Sequence, residues 1–483
     1  MKIMNSSNYI KGIILLFLIV AITSCQKLQE EPKGILSPDK FYGTPAQCQT
    51  VFTGSMDALF GAYRGYGNGG INNWADGQIG GQGLNYGASF SPNLWNIHYK
   101  AITNLNALLK AVKGGSLKDY SPEVIAEVVA QARFLRAFNY FTLVRSYGRI
   151  PLLTEDAPDL VVTPLTPESR VDIVVMYDAI EADLLFAETN LPDYDGSSPA
   201  RPNKWTAKGL LSKVYLTRAT APVNDATYFA KARDVADDVI LNSPYQLLPD
   251  FKDVFKTTNK NNKEILFAYQ ATGDDPNSET AYYLGGSTDG YDNYPVTLEF
   301  EASYPEQPRK HNYIQLNWSL DPNDPNAQVV NFTQTAELVP NVGKFNIPNI
   351  TLDEYNSNSL GGMPILRFAD ILLIYAEAAN QANGGPTALA VSRINAIINR
   401  ANAGTGTEAI ATVSMTKDAF DKKVIDERSF ELCFENDRYF DALRKKILKE
   451  VNEPFTSIDF VPSDYLFPIP VLDATFIGNN PGY

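Results

Sequence analysis

Cysteine and histidine are scarce in this chain of 483 residues, which has three of the first and two of the second. The two histidines, His98 and His311, leave few candidates for acid–base or nucleophilic catalysis by an imidazole. No group of cysteines and histidines has the spacing of metal ligands, which argues against a structural zinc site. We therefore expect no metal, no cofactor and no catalytic residues.

Basic residues are outnumbered, with 41 Lys and Arg against 55 Asp and Glu, for a net charge of −14. A nucleic-acid partner requires a basic surface, so this balance argues against one. The runs "GYGNGG" and "GGQG" follow no predicted strand and precede no Lys-Ser/Thr pair, which argues against a nucleotide site. The run "DPNDPN" could ligate calcium through Asp321 and Asp324, but it lacks a full loop spacing and favours a turn.

The apolar run at residues 13–22 has about half of the roughly 20 residues that a membrane-spanning helix needs. With basic residues before it and small residues after it, the run predicts a secretory signal peptide over residues 1–24. Cys25 follows those small residues as the acylated cysteine follows a bacterial lipobox. We therefore expect Cys25 to carry lipid and residues 25–37 to form a tether. An ordinary signal peptide with an incidental cysteine is the alternative.

The other two cysteines, Cys48 and Cys433, lie far apart in the sequence. In an oxidising compartment they could form a disulfide, and their spacing alone cannot decide this. Two unpaired buried thiols are the interpretation that we favour.

Helical patterns dominate the first half of the chain. Ser121, Pro122 and Gly148 predict one helix that begins with a cap and ends at the glycine. Thr166 and the proline after it predict the cap of the next helix in the same way.

Two later stretches, "LLSKVYLTRA" and "ILLIYAEAAN", share a finer helical pattern. Each places a large apolar residue, a tyrosine and an alanine four residues apart, and each precedes a second helical pattern. A small residue at this spacing lets the second helix pack closely, in the style of a tetratricopeptide unit. The sequence thus predicts a mainly α fold: a scaffold of tetratricopeptide-like helical hairpins with long irregular loops and a few short strands.

Residues 65–87 and 271–362 interrupt the helical patterns and are rich in Asn, Asp, Gly and Tyr. Long loops on a rigid scaffold are often functional, and aromatic rings among polar side chains suit sugars. We predict ligand binding by Trp74, Asn73, Asp76, Tyr86, Tyr283, Tyr291 and Trp318. Packing of these rings onto the scaffold is the alternative, and "YIQLNWSL" could equally be a strand that turns Trp318 inward. Trp95 and Trp205 lie in helical patterns, and we assign them to the core.

The stretch "KKVIDERSFELCFENDRYFDALRKK" predicts one highly charged helix. Glu427 and Glu431 lie four residues apart on one face, as the carboxylates of a glycoside hydrolase could. Interleaved aromatic residues favour a buried helix instead, in which buried carboxylates need arginine partners. We therefore predict structural ion pairs that involve Glu427, Arg428 and Glu431, with Arg133 and Arg136 as partners.

Four motifs occur in an order that resembles the SusD/RagB family of lipoproteins. They are "ARFLRAFNYFTLVRSYGRIPLL", "ILRFADILLIYAEAANQA" with "INAIINRA", "VIDERSFELCFENDRYFDALR" and the tail "LFPIPVLDATFIGNNPGY". Together with the lipobox, the resemblance covers nearly the whole chain. The departures are Asp473, where the family often has Glu, and the pair Gly478–Asn479 before the final Asn-Pro-Gly-Tyr.

The resemblance implies an N-terminal helical region over residues 38–250 and a C-terminal region with ligand-binding insertions over residues 251–483. It also implies a non-enzymatic lipoprotein on the outer leaflet of the outer membrane. Such a protein captures glycans, or sometimes peptides, as a lid over a SusC-like TonB-dependent transporter. A lipid-anchored glycoside hydrolase and a peptide-binding member of the family are the alternatives. The family's ligand contacts lie in variable loops, so no contact residue is carried over from the motifs.

Overall fold

The computed structural model describes residues 41–63, 86–158, 163–272, 295–319, 328–334, 339–345, 360–452 and 465–481. Within these ranges the chain is mainly helical, as predicted, with fourteen α-helices and six short strands. The helices are α1 (Pro45–Tyr63), α2 (Tyr86–Lys113), α3 (Pro122–Tyr147), α4 (Ile173–Asn190), α5 (Lys204–Arg218), α6 (Tyr228–Asn242), α7 (Leu298–Ser303), α8 (Pro308–Tyr313), α9 (Phe368–Asn383), α10 (Ala388–Asn402), α11 (Lys417–Glu431), α12 (Arg438–Lys445), α13 (Leu448–Asn452) and α14 (Val471–Ile477). The strands are β1 (Ile265–Tyr269), β2 (Ile314–Gln315), β3 (Asn317–Ser319), β4 (Val329–Asn331), β5 (Asn341–Val342) and β6 (Met363–Arg367).

Helix α3 begins and ends at the predicted residues. The Ser121 side chain accepts a hydrogen bond from the backbone N–H of Val124 at 3.4 Å, and Pro122 is the first helical residue. Gly148 follows the last helical residue with a φ of 69°, a conformation that glycine adopts at low cost.

Helix α4 does not follow Thr166 directly, so the predicted start of this helix is wrong. Thr166 caps a separate 3-10 turn. The cap of α4 is Asp172, whose carboxylate accepts a hydrogen bond from the backbone N–H of Val174 at 2.9 Å. Between the two caps, Arg170 pairs with Pro151 in an antiparallel bridge, which holds this part of the chain extended.

Helices α2 to α6 form a continuous array in which each helix packs against the next, and α9 continues the array from α6 to α10. The predicted hairpins are α5–α6 and α9–α10. Tyr215 and Ala219 on the first hairpin, and Tyr375 and Ala379 on the second, are all buried. The scaffold is thus tetratricopeptide-like, and α9 joins the two hairpins through its contact with α6.

The buried apolar side chains form two hydrophobic clusters. The larger one extends from Tyr42 to Ile477 and includes Trp95 and Trp205, which confirms the core assignment of both tryptophans. The smaller cluster packs around Tyr313 and Phe434 under the antiparallel pair β2–β5. No helix within the described residues has both the length and the hydropathy to cross a membrane.

The two described cysteines are unpaired and buried, Cys48 in the larger cluster and Cys433 in the smaller. Burial raises the pKa of the Cys48 thiol to about 11 and that of Cys433 to about 12. Both thiols therefore stay protonated at neutral pH, which makes them poor nucleophiles.

The two histidines lie in different surroundings. His98 is fully buried, and its Nδ1 lies 2.7 Å from the Asn139 side-chain oxygen. Burial lowers its pKa to about 4, so the ring is neutral at pH 7. His311 is exposed on the short helix α8, where the sequence had indicated an irregular segment.

Candidate functional site

Three of the described ends of the predicted ligand-binding segments lie close together, at what we call one corner of the scaffold. Helix α1 ends at Tyr63, just before the segment that carries Trp74, and β1 ends at Tyr269, just before the segment that carries Tyr283. The rings of Phe60 and Tyr269 stack with centroids 6.0 Å apart. The elements that precede the two segments in the chain are therefore in contact.

A third chain end joins the same corner. Strand β6 pairs antiparallel with β1, and its first residue, Met363, lies opposite Tyr269. Gly362 precedes this pair, and a Cβ at that position would lie 3.0 Å from both the Tyr269 carbonyl oxygen and the Gln270 side-chain nitrogen. Only glycine allows the two backbones to approach this closely without a shift.

Most of the predicted ligand-binding residues lie outside the described part of the chain. These are Trp74, Asn73, Asp76, Tyr283 and Tyr291, and the lipidation residue Cys25 and the calcium candidates Asp321 and Asp324 lie there too. Tyr86 is the first residue of α2 and so belongs to a helix rather than to a loop. Among the described residues, no group of His, Cys, Asp and Glu could hold a metal ion.

Trp318 lies in a strand rather than in an irregular loop. It is the middle residue of β3 and lies opposite Val330 of β4 in an antiparallel pair. The neighbouring pair β2–β5 is closely packed, because a Cβ on Gly343 would lie 2.8 Å from the backbone oxygen of Asn312. Trp318 therefore belongs to a strand pair that adjoins the smaller hydrophobic cluster.

Ten ionisable side chains in the C-terminal half of the chain form a network, which we call the buried charge network. Its five carboxylates and five cations, linked by ion pairs of 4.0 Å or less, are Glu264, Glu408, Glu427, Glu431 and Glu435 with Arg309, Lys344, Arg367, Arg400 and Lys423. Burial of a charge is costly unless an opposite charge and hydrogen bonds compensate it. Equal numbers of both signs give that compensation.

Glu431 has more ion-pair partners than any other carboxylate of the network. One of its carboxylate oxygens lies 2.7 Å from Arg309, and the other lies 3.1 Å from Arg367 and 2.8 Å from Arg400. Burial acts to raise the pKa of this carboxyl, but the three guanidinium groups outweigh burial and hold the pKa well below its ordinary value. Glu431 is therefore ionised at any physiological pH.

Glu427 has fewer ion-pair partners than Glu431, and its pKa is shifted in the opposite direction. Its only ion-pair partner among the described residues is Arg309, which it contacts at 2.7 Å and which it shares with Glu408 and Glu431. Burial raises the pKa of Glu427, Arg309 offsets only part of the rise, and the two neighbouring carboxylates add to it.

The partners that the sequence analysis assigned to these carboxylates are wrong. Arg136 contacts Asp183 at 2.7 Å and also forms an ion pair with Glu155, while Arg133 lies 3.9 Å from Asp183. Both arginines thus belong to the α3–α4 pair of helices, because Asp183 projects from α4. Arg428 is buried between Asp370 and Asp441, at 2.7 Å from each.

The single charged helix predicted from this stretch is in fact two helices, α11 and α12. The chain turns between them at Phe434 and Asn436, which have φ values of 65° and 64°. Lys344 donates hydrogen bonds to the backbone oxygens of Glu431 and Cys433, at 2.7 and 2.9 Å, and Arg367 donates to that of Glu431. These buried cations donate hydrogen bonds to carbonyl oxygens that, in a longer helix, would have accepted hydrogen bonds from backbone N–H groups of the next turn.

Comparison with protein families identifies the chain. The model described as "SusD family" matches residues 242–464, and the model described as "Starch-binding associating with outer membrane" matches residues 46–216. The chain belongs to the SusD/RagB family. Members of this family are binding proteins that associate with the outer membrane.

Individual relatives of this SusD/RagB protein match over nearly their whole length. "SusD-like protein P2" of Formosa agariphila is 29% identical and is matched over 98% of this chain and 99% of the relative. A SusD superfamily protein of Parabacteroides distasonis has a TM-score of 0.76 at 22% identity, with coverage of 91% of this chain and 99% of that protein. A structure titled "Laminarin binding SusD-like protein" has a TM-score of 0.68 at 23% identity, with coverage of 91% and 99%.

The arginines that hold Glu431 in this SusD/RagB protein were not recognised from the sequence. Arg309 lies in "EQPRKHNY", a segment without a helical or strand pattern, although it forms part of α8. Arg367 and Arg400 do carry a signal, because each is a lone arginine among apolar residues in "PILRFAD" and "INAIINRA". Such isolated charges in apolar surroundings need a buried partner.

The geometry of Glu427 and Glu431 does not suit glycoside hydrolysis. Both side chains are 0% exposed, and both are held by arginine. A hydrolase requires its two carboxyl groups on either side of a substrate in an accessible cleft. These two carboxylates can stabilise the fold, but they cannot contact a sugar in this arrangement.

Proposed function

We propose that this protein is a cell-surface lipoprotein, acylated at Cys25, that binds an oligosaccharide or polysaccharide. It then delivers this glycan to a SusC-like TonB-dependent transporter and acts as the lid of that transporter. The observation that carries the proposal is the corner at which Phe60, Tyr269 and Met363 meet. Two aromatic-rich polar segments leave a rigid scaffold there, which is an arrangement suited to binding loops.

Membership in a family of binding proteins supports this function over catalysis. A protein of the same fold is described as laminarin-binding, which supports a glycan as the ligand. Aromatic rings can stack on the apolar faces of sugar rings, while neighbouring Asn and Asp side chains bind the hydroxyl groups. Trp74 with Asn73 and Asp76 has this composition, as do the segments around Tyr283 and Trp318.

We expect that Trp74→Ala, Tyr283→Ala and Trp318→Ala each weaken glycan affinity by about thirtyfold. A desolvated aromatic anchor costs about 2 kcal/mol or more on truncation, and each 1.4 kcal/mol corresponds to a factor of ten. A glycan array on the mature lipoprotein would identify the ligand, and calorimetry on each variant would then measure its affinity.

The matched control for these variants is Tyr120→Ala. Tyr120 is an exposed tyrosine, at 38%, in the turn that follows α2, outside both predicted segments. It should bind as the wild type does. If all three test variants also bind as the wild type does, the choice of binding segments is wrong. Peptides belong on the same array, because a peptide ligand would leave the family assignment intact and contradict the glycan proposal.

A lid must contact its transporter through a broad, rigid face. The array α2 to α6 offers such a face, because its helices pack continuously. We expect the protein to co-purify from gently solubilised outer membranes with a large β-barrel transporter. The interface should bury more than about 2,000 Å², as permanent assemblies do. Repeated recovery of the protein alone, with its lipid intact, would contradict the lid role.

A further inference from the structure

A groove of about 680 Å³ lies at the end of the helical array, and none of its described lining residues is one that we assigned above to ligand binding. It is bounded by the C-terminal ends of α3, α5 and α12, the first turn of α4, and the pair Tyr465–Leu466. Its walls are mainly apolar, with Val144, Ile173, Phe440 and Leu443 among them. Pockets for small ligands fall in this range of volume and have this character.

All the charged side chains that line the groove are cationic. They are Arg145, Arg149, Arg444 and Lys446, and no Asp or Glu is among the described lining residues. This is unusual for a chain with a net charge of −14. A cluster of one sign in a concave apolar site concentrates ions of the opposite sign.

The four cations differ in how far they are already compensated. Arg444 is buried and forms ion pairs with Glu377 and Asp441, so these two carboxylates already compensate its charge. Arg149 donates hydrogen bonds to two backbone oxygens, at 2.9 Å to Arg170 and 3.4 Å to Val171. Neither Arg149 nor the exposed Lys446 forms an ion pair with any carboxylate in the described ranges.

Arg145 forms part of the groove wall. Its guanidinium carbon lies 3.9 Å from the ring centroids of both Phe141 and Phe440, so the cation is held between two aromatic faces. Burial raises the pKa of the neighbouring Tyr177 hydroxyl, and the positive charges of Arg145 and Arg218 oppose that rise. The wall is thus electropositive as well as apolar.

The geometry points to a binding site for a small amphipathic carboxylate, with its apolar body against Phe440 and Leu443 and its anionic group between Arg149 and Lys446. The apolar walls favour the body, and charge-assisted hydrogen bonds to the two cations favour the carboxylate. An extended peptide fits less well, because the surrounding helices offer no strand edge to which a backbone could pair. This site is independent of the proposed glycan function.

The test uses the mature lipoprotein in zwitterionic lipid nanodiscs, with empty nanodiscs as the blank. Calorimetry would compare 4-phenylbutyrate with its neutral amide, which has nearly the same shape but no charge. We expect the carboxylate to bind at least tenfold more tightly than the amide. The double variant Arg149→Glu/Lys446→Glu should lose that preference, and its unchanged melting temperature would show that the fold is intact.

Two further variants sharpen the test. Lys118→Glu changes the charge of an exposed lysine outside the groove and should keep the preference for the carboxylate. Leu443→Trp should fill the groove and weaken binding of both ligands. Equal affinity for carboxylate and amide in the wild type would overturn the inference. So would full binding by the double variant, or capture of an acidic peptide without any binding of the carboxylate.

Discussion

Glu431→Gln is expected to lower the free energy of unfolding by about 3–5 kcal/mol, the cost of breaking a buried ion pair by removing one partner. Glutamine has nearly the same shape as glutamate but carries no charge. The substitution leaves Arg309, Arg367 and Arg400 without the carboxylate that they share, and all three are buried. Equilibrium denaturation in guanidinium chloride, followed by circular dichroism, would measure the loss.

The control lies on the same helix. Asp426 pairs with Lys422 at 2.8 Å on the outer face of α11, where the Lys422 side chain is 72% exposed. An exposed pair of this kind contributes at most about 1 kcal/mol, so Asp426→Asn should change stability little. Equal losses of unfolding free energy in the two variants would mean that burial does not govern the effect, and they would contradict the structural role of Glu431.

The same ionisation predicts a dependence on pH. Because the folded-state pKa of Glu431 lies below its unfolded value, its ion pairs stabilise the fold above the unfolded pKa. That contribution is lost as the pH falls through the folded pKa. The wild type should therefore lose more stability than Glu431→Gln when the pH is lowered from 7 towards 3.

Cys25→Ala is expected to leave the protein without lipid, either soluble or retained in the membrane with its signal peptide uncleaved. Each buried methylene of an acyl chain contributes about 0.8 kcal/mol to membrane binding, and stable anchoring requires more than one such signal. In the proposed anchor the Cys25 sulfur carries the lipid, so the alanine variant should take up no label. Metabolic labelling with a radioactive fatty acid, followed by membrane fractionation, would measure both the label and the location.

The control for this variant is Cys48→Ala. Cys48 is buried in the larger hydrophobic cluster, so its thiol is not accessible to an acyl donor. This variant should retain the label and remain in the membrane fraction. Label on the Cys25→Ala variant equal to that on the wild type would contradict the proposed anchor.

Local signals made the helical scaffold predictable. Ser121 and Gly148 mark the ends of α3 through interactions within one turn of chain, and both act as expected. The hairpins were predictable because Tyr215 and Ala219 repeat at the helical period. The start of α4 was missed since Arg170 and Pro151, which pair across a turn of the fold, hold the chain extended before it.

The partners of buried charges could not be predicted, since they depend on which helices become neighbours. Glu431 resembled a partner for Arg136 from the sequence alone, yet Arg136 is occupied by Asp183 of the adjacent helix. The turn between α11 and α12 has a similar origin, because Lys344, distant in sequence, takes carbonyl groups at the end of α11. Charge patterns in the sequence indicate that buried ion pairs exist, whereas the tertiary fold determines which residues form them.

The residues of the proposed site come from the composition of the sequence, which does not predict their geometry. Aromatic residues among Asn and Asp favour binding of sugars, and this prediction does not require knowledge of the contacts between residues. The contact between α1 and β1, the elements that precede the two segments, depends on Phe60 and Tyr269, which are far apart in the sequence. Trp318 lies in a strand of only three residues, too short for its alternation to be distinguished from a loop.

The buried charge network has a consequence for the order in which this chain folds. Its carboxylates extend from Glu264 to Glu435, and contacts between such distant residues form late because closing a long loop costs entropy. Until α11 is in place, Arg309, Arg367 and Arg400 have no Glu431 to share and favour water over the interior. We therefore expect this half of the protein to fold cooperatively and late. A nascent chain that stops before α11 should stay open, as a substrate for chaperones and proteases.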